Sequence, residues 1–81
     1  MKLVTIRFEA EGEDREYQAE LLAVPRAGEF ISIGALTGDN MHRFEVQKVW
    51  HYHLDNKSGV DLFCRKLAKN EVPKTYTLDN L

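Results

Sequence analysis

Apolar and polar positions alternate through most of this chain, and the alternation marks five extended segments. "KLVTIRF" places Val4, Ile6 and Phe8 on one face and Thr5 and Arg7 on the other, with Leu3 at the strand start. "YQAELLAV" has helical propensities, and Asp14 could cap a helix there. Pro25 follows at once, however, and the residue before proline is pushed out of helical angles. Tyr17, Ala19 and Leu21 also alternate with Gln18 and Glu20, so Asp14–Val24 is expected to be extended and paired with the first strand as a hairpin. "FISI" follows, with Ile31 and Ile33 inward. Then comes the long run "RFEVQKVWHYHL". The last segment, "VDLFCRK", sets Val60, Leu62 and Cys64 against Asp61, Phe63 and Arg65.

Turn chemistry separates these segments. "EAEGEDRE" is acidic with one glycine and reads as a turn. "PRAGE" joins a proline that presets its backbone angle to a glycine suited to the exit. "GALTGDNMHR" is a polar loop, and "DNKSG" is another turn. "NEVPKTYTLDNL" carries a proline and little periodicity, so it reads as a tail able to dock through Tyr76 and Leu78. Five short strands with these breaks predict an all-β fold: a small five-stranded barrel of antiparallel strands over residues 1–68, with a C-terminal tail at 69–81. The succession "VPRAGEFISI", "FEVQKVWHY" and "VDLFCRK" resembles the small SH3-like barrels of bacterial and phage accessory proteins. Those have a Pro-x-x-Gly-acid turn before a short strand, and an aromatic-x-Val-x-x-Val strand after it. The resemblance spans about residues 3–67 and implies a fold only. It brings no catalytic residues and no cofactor.

The long strand admits two registers. A straight strand puts Phe44, Val46, Lys48, Trp50 and Tyr52 on one face, which buries aromatic surface but also turns Lys48 inward. A bulge at Gln47–Lys48 makes the inward set Phe44, Val46, Val49 and His51 and turns Trp50 and Tyr52 outward. Small barrels need bulges to bend long strands, which favours the second register. Aromatic burial favours the first.

Size and charge narrow the functions on offer. A chain of 81 residues makes one domain. It buries roughly 60–65% of its unfolded surface and has a stability of roughly 5 kcal/mol. The formal charge of −2 provides no whole-molecule field for nucleic acid or an anionic membrane. One cysteine allows no internal disulfide, no apolar run reaches a membrane span, and no leader-like segment opens the sequence, so a cytoplasmic protein is expected.

Candidate chemistry is sparse. His51 and His53 share a strand face, and with His42 or Cys64 they could contribute to a zinc site. No CxxC or HExxH spacing supports one, so no metal and no cofactor are expected. Cys64 alternates with Leu62 and Val60 and reads as a small core residue rather than a catalytic thiol. Glu9, Glu11, Glu13, Asp14 and Glu16 read as solvated turn charges, and "GALTGDN" lacks the lysine of a phosphate-binding loop. What remains is a face. Trp50, Tyr52 and Phe63, with Arg43, Lys48 and Arg65, form the expected binding surface. The expected function is a non-enzymatic module that binds a protein partner or a second copy of itself. Single-stranded nucleic acid is the alternative occupant, since bases stack on aromatics while cations meet phosphates.

Overall fold

A computed structural model describes residues 1–34 and 42–72. The strands are β1 (Lys2–Ala10), β2 (Glu13–Leu21), β3 (Phe30–Ile33), β4 (His42–Leu54) and β5 (Lys57–Lys66), followed by one 3₁₀ turn, Lys69–Glu71. They form a single sheet in the order β2-β1-β5-β4-β3. Strands β2 and β3 are its outer edges and do not pair among the described residues. The sheet curls around its core as a half-barrel rather than closing.

The all-β expectation holds, and so do all five strands. The expectation of uniformly antiparallel strands does not. Strand β1 runs parallel to β5, with Thr5, Ile6 and Arg7 opposite Asp61, Leu62 and Phe63. The other neighbours are antiparallel. The sheet is therefore mixed. The first and last strands meet at its centre, and joining them in parallel requires the intervening chain to cross over.

The first hairpin is regular from Lys2↔Leu21 to Ala10↔Glu13. Extended backbone over Glu13–Leu21 matches the reading that Pro25 and the Tyr17/Ala19/Leu21 alternation impose. The acidic stretch is mostly strand, however. Only Glu11 and Gly12 make the turn, with φ of 55° and 77°, while Glu9, Glu13, Asp14 and Glu16 lie on the two strands. Charges along the β2 edge discourage another strand from adding there.

One face of the sheet holds the core: Val4, Ile6, Phe44, Val46, Leu62 and Cys64 are buried. Phe8, Ala19, Leu21, Val24, Ile31, Ile33, Val49 and Val60 pack around them. Phe8 and Phe44 meet with ring centroids 4.8 Å apart and planes tilted by 55°, a favourable aromatic geometry.

The bulged register is the one adopted. Val46 pairs with Cys64 and Lys48 with Phe63, so Gln47 is the extra residue. Val49 then packs on the core, while Lys48 and Trp50 face out. The "PRAGE" turn docks at this irregularity. The Gly28 amide donates to the Val46 carbonyl at 2.7 Å, and the Val46 amide donates to the Glu29 carbonyl at 2.9 Å. Backbone groups next to the bulge are thereby satisfied.

The start of the expected tail is tied down. The Leu67 amide donates to the Arg43 carbonyl at 2.9 Å, and Glu71 accepts from the Ala68 amide and from Arg65. Tyr76 and Leu78, named above for docking, and most of the polar loop lie outside the described residues. Among the described residues no helix is long and apolar enough to cross a membrane.

Candidate interaction face

The outer surface of β4 and β5 is laid out by the bulge. Past Gln47 the outward positions of β4 are Lys48, Trp50, Tyr52 and Leu54. Those of β5 are Lys57, Gly59, Asp61, Phe63 and Arg65. Lys48 stands opposite Phe63, Trp50 opposite Asp61, and Tyr52 opposite Gly59. All three aromatics named from the sequence thus share one face. Trp50 is 64% exposed, Phe63 is 39% exposed, and Tyr52 is half-buried.

The three rings make no ring–ring pair with one another. Asp61 lies between Trp50 and the neighbouring strand, held by the Arg7 Nε at 3.0 Å. Tyr52 turns across its partner instead. A Cβ at Gly59 would come within 2.7 Å of the Tyr52 Cζ, so only glycine leaves room for the ring in this position. The Lys57 ammonium stands over the same ring, 5.9 Å from its centroid, within cation–π range.

The basic residues named from the sequence divide. Lys48 is exposed and forms no ion pair among the described residues. Arg65 is held on two sides, by Glu45 at 3.1 Å and by Glu71. The hydrogen bond from the Ala68 amide, with help from Arg65, holds the Glu71 carboxyl below its ordinary range. Arg43 is half-buried, at the β3 end of the same face opposite Ser32. It lies beyond the bulge from Trp50 and is not part of the aromatic group.

Comparison with family models, curated proteins and solved structures returns no match to this chain. Geometry alone carries the functional argument.

Two residues on this face escaped the sequence reading. Arg7 bonds Asp61 at 3.0 Å and Glu16 at 3.1 Å, bridging three strands. Leu54 continues the apolar line of Trp50 and is as exposed as it is. The outward alternation of β4 pointed to Leu54. Arg7 could be found only by knowing that β1 lies beside β5.

Elsewhere the chemistry is muted. His51 and His53 are exposed, and among the described residues no three metal-ligating side chains gather. His51 lines a cleft of about 450 Å³ with Val24, Pro25 and Val49. Cys64 borders another, of about 530 Å³, walled by Arg7, Glu9, Asp14, Arg15 and Glu16. Burial pushes its thiol up to about 11, which keeps it protonated at neutral pH. A nucleophilic cysteine needs a shift in the opposite direction.

Proposed function

We propose that this chain is a non-enzymatic SH3-like accessory module that binds a protein through the outer face of β4 and β5. The observation that carries the reading is Trp50. Six of the described residues form the buried core, while the one tryptophan is 64% exposed, on the face that also carries Leu54 and Phe63. Such a small core could use that apolar surface, and an exposed group of large apolar side chains marks an interaction site. Tyr52, fixed over Gly59, supplies a rigid neighbour.

Protein is favoured over single-stranded nucleic acid by the charges around the rings. Arg65 and Arg7 each carry two carboxylates, which among the described residues leaves Lys48 and Lys57 as the cations nearest the aromatics. A phosphate backbone would have to displace those carboxylates or make do with two lysines.

A photo-crosslinking side chain at position 50, and separately at position 17 on the opposite face, tests the reading. Cross-links to protein from position 50 that survive nuclease, and are absent from position 17, are expected. Nuclease-sensitive products at position 50 would transfer the face to nucleic acid. Equal products at both positions would remove the face as a special surface.

A further inference from the structure

We infer that the occupant of this outer face is a second copy of the chain, docked about a two-fold axis that runs along the strands between β1 and β5. The inference rests on the interaction reading above and adds the partner and its orientation.

Two observations select it. The first is charge. One row across the sheet reads Glu16, Arg7, Phe63, Lys48, through the paired positions of β2, β1, β5 and β4. The acid lies on one margin and the base on the other. A two-fold axis parallel to the strands keeps each row at its own height and exchanges its ends. Glu16 of each copy then faces Lys48 of the other, and Arg7 lies over Phe63 of the other. The next row, Gln18, Thr5, Asp61, Trp50, places an amide over the indole in the same way. A two-fold across the strands, passing through the first row, would instead set Lys48 against Lys48 and Glu16 against Glu16. On these two rows the first arrangement opposes unlike groups, as a closed dimer interface must. The row on the other side of the first, continuing the register as Asp14, Glu9, Arg65, Glu45, sets Glu9 against Arg65 and Asp14 against Glu45.

The second observation is area. Trp50 is 64% exposed, Leu54 65%, Leu3 59% and Phe63 39%, all on this face. With side chains of about 150–250 Å² each, the open apolar surface is on the order of 400 Å². A standard interface buries about 800 Å² per partner, a little over half of it apolar. The face therefore carries about the apolar area that one side of such an interface contains.

Charge exchange in the full chain tests the proposal. Sedimentation velocity up to about 300 µM should show a dimer with a Kd in the micromolar range. Lys48→Glu and Glu16→Lys should each weaken it at least tenfold, because a two-fold repeats every contact. An equimolar mixture of the two variants should regain association to within a few-fold of the original, since both opposed pairs again have opposite signs. Circular dichroism and the urea midpoint verify that each variant is folded. If a charge variant does not fold, Lys48→Ala replaces Lys48→Glu, and a dimer that weakens with rising salt is then required.

A chain that stays monomeric at about 300 µM, or a mixture that fails to recover, overturns the proposal. Cross-links from position 50 then separate the two readings. Products with another protein leave the face as an interaction site with a different partner, whereas products with residues 73–81 of the same chain remove the interaction reading as well. No product at position 50 removes the interaction reading as well.

Discussion

At the scale of single residues, three positions have measurable consequences. Glu11 occupies the left-handed region at φ 55°, followed by Gly12 at φ 77°, as a two-residue type I′ hairpin turn demands. Glutamate is strained there, while asparagine tolerates the angle. Glu11→Asn should raise stability by about 0.5–1 kcal/mol, read as a higher urea midpoint at unchanged slope. The buried Cys64 thiol has a folded-state value of about 11 against an ordinary 9.0. The folded form therefore holds its proton more tightly than the unfolded form. That contribution is complete below pH 9 and is lost as pH rises through about 11. Cys64→Ala should flatten the alkaline fall in stability over this window, and native alkylation should stay slow until it is crossed. Leu62→Ala, at a fully buried site, should cost about 2–5 kcal/mol. Trp50→Ala, measured at concentrations too low for association, should cost clearly less than the roughly 3–5 kcal/mol of a core aromatic. Equal losses would place Trp50 in the core.

At the scale of elements, β4 decides which side chains face water. Its alternation allowed two registers, and local pattern alone could not choose between them. A contact distant in sequence made the difference: the turn ending at Glu29 satisfies Val46 and locks the bulge at Gln47. The readings that depended on one segment were legible. Val4 and Ile6, and likewise Leu62 and Cys64, fall inside as their alternation requires. The acidic turn was drawn too long because charged residues on a solvated edge strand look like turn residues in sequence. The register has its own test. Val49→Asp puts a charge among core side chains and should unfold the domain or nearly so, whereas Trp50→Asp should leave the thermal midpoint within a few degrees. A straight strand predicts the reverse.

At the scale of the whole molecule, the parallel contact between β1 and β5 brings Arg7 to Asp61 and builds the face. It was not legible, because strand alternation carries no sign of direction and the contact joins segments more than fifty residues apart. The aromatic members of the candidate site could be named from sequence, since they follow from alternation once the bulge is granted. The state of its cations could not. Arg65 looked free in the sequence but sits between Glu45 and Glu71, one of them supplied by a 3₁₀ turn with no periodic signal. On the proposed function, Trp50 is open in the isolated chain and covered when the outer face is engaged. As the one tryptophan, its fluorescence reports that face without interference. The deciding measurement is acrylamide quenching of Trp50 as the chain is concentrated. Largely solvent-like quenching is expected at the lowest concentrations, then a blue shift and protection as association proceeds. Blue-shifted, protected emission that persists on dilution in the monomer would contradict it, because the indole would then be covered within the chain itself.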